Sequence, residues 1–186
     1  MKKVINVNKI KTLLTACLVL LLVASCKEQQ KEVPTEEAAS SSRSGAPVPG
    51  DSEIAFDQQV LNELFTQYLE LRSALVESDS DKVLAIAGAM DALPLGEAPA
   101  ISEIVKALSQ SDGLAEQRAY FFTLSKEMVA LMDGHLRSGT VYRQYCPMAF
   151  NNTGAFWLSD AEDILNPYFG DAMLKCGKVD KTFRPL

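Results

Sequence analysis

Behind residue 52, apolar side chains recur at helical spacing. Between Glu53 and Glu77, the residues Leu61, Leu64, Phe65, Tyr68, Leu71 and Leu75 fall on one stripe of a 3.6-residue period and predict a first helix. The run Ser78 to Asp81, "SDSD", ends it and offers caps for the next. A second helix is expected over 81–93, with Val83, Ile86, Ala87 and Met90 on its apolar face, before Pro94, Gly96 and Pro99 break the chain. Pro99 suits the first turn of a third helix, where its missing N–H would have no partner anyway. Ile101, Ile104, Val105 and Leu108 form that helix's stripe and Gly113 closes it. A fourth is predicted over 114–134, with Phe121, Leu124, Met128 and Leu131 on one face. Four amphipathic helices joined by short breaks predict a mainly α fold, a four-helix up-and-down bundle.

After Gly139 the pattern changes. Thr140 to Pro147 is rich in β-branched and aromatic residues and reads as a short strand. Phe150 to Gly154, "FNNTG", reads as a turn. Ser159, with Glu162 three residues later, has the form of a capping box and predicts a short helix. "NPYFG", Asn166 to Gly170, breaks it, and Asp171 to Phe183 holds a last short helix or strand. Tyr142, Tyr145, Phe150, Phe156, Trp157, Tyr168 and Phe169 crowd into this stretch. The bundle is therefore followed by a short irregular α/β segment rich in aromatics, and a segment of that kind needs extra pinning.

The N-terminus changes the picture of where the chain works. Lys2, Lys3, Lys9 and Lys11 precede an apolar run from Leu13 to Val23, which is short of the ~20 residues a spanning helix needs. A basic start, an apolar middle and the small-residue exit Val23-Ala24-Ser25-Cys26 have the layout of an export signal. The exit resembles a bacterial lipoprotein signal: residues 1–25 would be removed, and Cys26 would become the lipid-bearing first residue. Acyl chains on Cys26 would bury enough CH2 groups for stable anchoring. Residues 26–52 are mostly Glu, Gln, Ser, Ala, Pro and Gly and cannot bury enough apolar surface to order themselves, so they read as a tether. Residues 53–186 suit one domain with one core. The expected location is exported, on the outer membrane, facing the periplasm or the cell surface.

Charge follows from processing. Loss of the four leader lysines takes 18 basic residues to 14 against 24 acidic ones, a formal charge of about −10. Such a chain lacks the basic footprint of nucleic-acid binding, and anionic lipid would repel it, so the acyl group must do the anchoring.

The candidate chemistry is sulfur chemistry. The single histidine, His135, and the lack of a phosphate loop, a nucleophile elbow or a CxxC pair argue against a His-based zinc enzyme and against enzymes in general. His135 ends an apolar helix stripe, where histidine is usually structural, although it lies only eleven residues before Cys146. Met148 follows Cys146 by two residues, and Met173 precedes Cys176 by three. Thiolate and thioether are soft ligands that select Cu(I), so Cys146, Met148, Met173 and Cys176, with His135 as a further candidate, could make a Cu(I)-like site. In an oxidising compartment, Cys146 and Cys176 could instead close a disulfide. A loop of ~30 residues closed in this way gains roughly 3 kcal/mol in the chain-entropy model. The residues alone leave both readings open.

The run "QYCPMAFNNTGAFWLSDAEDILNPYFGDAMLKCG", with "YLELRSALVESDSDKV" and "EQRAYFFTLSKEM" upstream, resembles the domain of unknown function 3347 family over about Ile54 to Thr182. Members of that family occur in exported bacterial proteins, some fused to or found beside periplasmic adaptors of heavy-metal efflux pumps. The resemblance implies a link to copper or related metals, with an efflux adaptor as partner and Cys146, Met148, Met173 and Cys176 as metal residues. Relatives often carry a histidine in the "QRAYF" stretch where this chain has Tyr120, a departure that weakens the metal expectation. Two functions follow: a lipid-anchored protein that buffers a soft metal ion or hands it to an efflux system, or a non-enzymatic interaction module with a Cys146–Cys176 disulfide.

Overall fold

A computed structural model of the chain describes residues 53–96 and 98–186. The expected signal peptide, the lipidated Cys26 and the tether lie outside the described residues. Four helices carry most of the structure: α1 (Gln59–Val76), α2 (Ser80–Asp91), α3 (Pro99–Leu108) and α4 (Leu114–Met132). Five short strands accompany them: β1 (Ala55–Phe56), β2 (Leu136–Ser138), β3 (Val141–Cys146), β4 (Ala155–Ser159) and β5 (Lys178–Phe183). Among the described residues no helix is long and apolar enough to cross a membrane.

All four predicted helices form, and their ends move for local reasons. α1 begins at Gln59, not at Glu53, because the preceding residues pair as β1 with β2, and Ser138 Oγ donates to the Glu53 carbonyl. Asn62 holds that start. Its Nδ2 donates to the carbonyls of Phe56 and Gln58, and its Oδ1 accepts from Phe56 N–H at 2.7 Å. Asp79 caps α2 by accepting from Lys82 N–H at 3.0 Å. α3 stops at Leu108, short of Gly113. That glycine, at φ 81°, instead leads into α4, a left-handed conformation that suits glycine best. α1 packs on α2, α2 on α3, α3 on α4, and α4 returns to α1. The stripe residues Leu61, Leu64, Tyr68, Leu71, Leu75, Phe121, Leu124 and Met128 are all buried.

The C-terminal stretch is more regular than its pattern predicts. β3 is the central strand of an antiparallel sheet of order β4-β3-β5. Against β5 the register shifts between Arg143 and Gln144, where Asp180 of β5 is the extra residue, while the pairing with β4 is unbroken; Val141, Gln144 and Cys146 of β3 are all buried. The helix expected from Ser159 does not form. Residues 155–159 are strand β4 and residues 160–163 a bend. Ser159 Oγ accepts from Ala161 N–H and donates to the Ala161 carbonyl, while the carbonyls of Ala161, Glu162 and Asp163 turn toward Gln144 Nε2 at 2.9–3.1 Å. Tertiary acceptance of those carbonyls replaces the bonds a helix would have made. The segment 171–183 holds both a 3-10 turn (Gly170–Met173) and a strand, β5.

One buried hydroxyl joins the helices to the sheet. Ser125 Oγ donates to the Phe121 carbonyl, so Tyr68 Oη donates to Ser125 Oγ at 2.7 Å and accepts from Leu158 N–H at 2.9 Å. Burial pushes the Tyr68 phenol up to about 12 and keeps it a neutral donor. Tyr68 stacks on Phe121 with ring centroids 4.9 Å apart, and Tyr168 meets Trp157 edge-on at 5.8 Å.

Candidate functional site

Cys146 ends β3 and is fully buried; Cys176 lies two residues before β5 and is partly buried. Because β5 runs antiparallel to β3 with Tyr145 opposite Lys178, the two cysteines come to the same end of the sheet. Their sulfurs are 2.8 Å apart. The contact with Cys146, helped by burial, pushes the Cys176 thiol up to about 11, so in the reduced protein it holds its proton at neutral pH.

Several residues that pattern reading passed over hold this approach in place. Asn166 is fully buried and all its polar groups are paired. Nδ2 donates to the Cys176 carbonyl at 2.7 Å, Oδ1 accepts from Tyr168 N–H at 2.8 Å, its N–H donates to the Leu174 carbonyl at 2.9 Å and its carbonyl accepts from Gly170 N–H at 3.0 Å. The "NPYFG" break is therefore the clamp that brings Cys176 round. Gly177, at φ 150°, passes so close to the sheet that a Cβ would stand 3.0 Å from the Trp157 ring and 3.2 Å from the Tyr145 carbonyl. An asparagine before a proline at the edge of an aromatic run was the available signal; its burial was not legible.

The methionines take different positions. Met173 lies in the 3-10 turn, partly buried, with its carbonyl accepting from Cys176 N–H at 3.0 Å. Met148 is 47% exposed and, among the described residues, it and Leu186 are the exposed large apolar side chains. It precedes a turn, Ala149–Asn152, in which Phe150, Asn151 and Asn152 have φ of 50°, 57° and 65°. Three successive left-handed residues are costly for L-amino acids, and two of the three here are asparagine, which tolerates the conformation. Asn152 N–H donates to the Met148 carbonyl and Gly154 N–H to the Ala149 carbonyl, closing the turn.

His135 does not join the cysteines. It lies in the turn between α4 and β2, and its Nδ1 is 2.8 Å from Asp57 Oδ1. The Asp57 carboxylate only accepts, so Nδ1 carries the proton and donates; Arg137 holds the other carboxylate oxygen. Among the described residues no three of His, Cys, Asp and Glu come together as a metal group. The donor set can be tested against a thiolate-bound ion. Two thiolates on one tetrahedral ion, with metal–sulfur bonds of about 2.3 Å, stand roughly 3.8 Å apart. Cys146 and Cys176 have closed well inside that distance, and Met148 is turned to solvent. This arrangement brings the two thiols into direct contact, and both cysteines are free in the structure.

Residues 64–138 match the family described as Protein of unknown function (DUF3347). The chain resembles that family over α1 to β2. The matched stretch ends before β3, so the cysteine and methionine segment lies beyond it. No curated protein and no solved structure matched the chain.

Proposed function

We propose that the chain is a lipid-anchored, non-enzymatic envelope module whose C-terminal sheet is stapled by a Cys146–Cys176 disulfide, and that it serves as an interaction partner on the outer membrane. The observation that carries this reading is the 2.8 Å approach of two sulfurs, one of them fully buried, at the end of adjacent strands. Forming the bond removes two protons and two electrons, which a disulfide-exchange oxidant of an exported compartment would take up. In this reading the helices form an up-and-down bundle, Cys26 carries the lipid, and the family resemblance points to a heavy-metal efflux adaptor as the docking partner. Alkylation of the full chain without reductant, followed by mass measurement, tests the staple. The expected result is no alkylated thiol at Cys146 or Cys176 until a reductant is added. Two alkylated thiols in the untreated protein would overturn it.

A second reading is favoured by a separate observation, the exposure of Met148 two residues past Cys146. Here the reduced chain holds a Cu(I)-like ion through Cys146, Met148, Met173 and Cys176, and buffers it or delivers it to efflux. It requires the two sulfurs to move apart by about 1 Å and Met148 to turn inward. Because thiols must lose their protons to bind, affinity should fall as the pH is lowered. Titration of the reduced chain with Cu(I) against a colorimetric competitor tests it. Equal affinity in wild type and in the Cys146→Ser, Met148→Leu double variant would remove these residues from any copper site.

A further inference from the structure

We propose that the cavity between the start of α1, the end of α4 and the α2–α3 loop binds a small, largely apolar molecule carrying one hydrogen-bonding group, of the size and character of phenol. The cavity measures about 120 Å3 and its walls include Leu61, Leu64, Leu95, Ala98 and Leu131, with Gln58 contributing the one polar side chain among its described lining residues. The described lining offers water few of the two to four polar partners that would hold it in place. Apolar cavities of about 150 Å3 take up benzene, so a volume of this order suits one ring or a short aliphatic chain.

Gln58 occupies the N-cap position of α1, yet its side chain makes no cap bond. Asn62 supports the helix start in its place, and the Gln58 side chain lines the cavity with its amide 3.3 Å from the His135 Nδ1 that donates to Asp57. Either end of that amide pairs with a phenolic hydroxyl, which both donates and accepts. On the loop side, Leu95 and Ala98 are held by backbone bonds. Leu95 N–H donates to the Leu93 carbonyl and Ala98 N–H to the Leu95 carbonyl, both at 2.8 Å, and Leu95 is buried although it lies in a loop.

Methyl-resolved NMR of the full chain, titrated with phenol and separately with benzene, tests the proposal. Phenol is expected to shift the methyl signals of Leu61, Leu64, Leu95 and Leu131 in a saturable way, with about millimolar affinity given its few non-hydrogen atoms. Ala98→Met, at a position that makes no side-chain cap bond, fills the cavity from its loop wall and should weaken phenol binding at least about tenfold. Gln58→Leu should weaken phenol several-fold and leave benzene unchanged, which separates the amide contact from simple filling. Absence of saturable shifts with both probes at ~10 mM would overturn the proposal, as would equal binding in wild type and Ala98→Met.

Discussion

Replacing Gln144 with methionine keeps the length and volume of the side chain and removes its polar end. Gln144 is fully buried on β3. Its Oε1 accepts from Trp157 Nε1–H at 2.7 Å, and its Nε2 lies 2.9–3.1 Å from the carbonyls of Ala161, Glu162 and Asp163. An amide nitrogen has two hydrogens, so the three carbonyls share at most two full bonds. The substitution strands the indole N–H of a fully buried tryptophan, which costs about 1–3 kcal/mol. The carbonyls belong to exposed residues and rehydrate, so their loss is about 0.5–1.5 kcal/mol in all. The expected total is about 2–4 kcal/mol, a large part of the ~5–15 kcal/mol that holds a domain together. Urea unfolding reads it directly, because Trp157 is the single tryptophan of the chain and its emission reports on this site. The midpoint should fall by roughly 1–2 M, and the native emission should change. Gln144→Glu gives a second arm. It keeps an acceptor for Trp157 but sets a carboxylate against carbonyl oxygens, so the folded-state carboxyl pKa is raised. Such a variant should be least stable at neutral pH and should recover as the pH falls and the carboxyl becomes a donor. A loss below ~0.5 kcal/mol in Gln144→Met, with unchanged emission, would refute the account of why residues 160–163 are not helical.

If Cys146 and Cys176 close the proposed disulfide, reducing it reopens a loop of ~30 residues and should cost about 3 kcal/mol, seen as a lower thermal midpoint in the presence of reductant; no shift would mean that no bond had formed. Gly154→Ala should lose about 1–3 kcal/mol in urea unfolding, because φ is 83° there and the new Cβ would stand 2.0 Å from Tyr145 Oη, so a neutral result would remove the close approach from the argument. The hydrogen bond from His135, with help from Arg137, lowers the Asp57 carboxyl below its usual 3.8. A lowered carboxyl pKa stabilises the fold above the unfolded value, and that gain is lost as pH falls through the folded value. Below about pH 4, wild type and Asp57→Asn should therefore converge in stability, whereas a gap that persists into acid would place the effect elsewhere.

The helical part was legible because its signal is local. The apolar stripe of α1, the Pro99 start of α3 and the stripe of α4 each follow from spacing within one segment, and packing then buries those same residues. The sheet was legible only in part. The strand over β3 announces itself by its β-branched and aromatic residues, whereas the types and separation of Cys146 and Cys176 left a disulfide and a metal site both open. The Ser159 capping box was misleading because its local bonds compete with a distant one: Gln144, fifteen residues upstream, takes the carbonyls the helix would need. His135 shows the same limit. Its nearness to Cys146 along the chain brings it no nearer in space, because Asp57, far upstream, holds its proton-bearing nitrogen at 2.8 Å.

What the sequence by itself determined is the set of segments that become helices, the faces they bury, and the residue types available for sulfur chemistry. Tertiary structure alone decided which polar groups meet. The 2.8 Å sulfur contact depends on the antiparallel register of β5 on β3 and on Asn166 turning the chain through four hydrogen bonds. Helical periodicity is a property of neighbours three or four residues apart. Satisfaction of a buried amide, carbonyl or thiol depends on groups tens of residues away, and the chain reveals those only once it has folded.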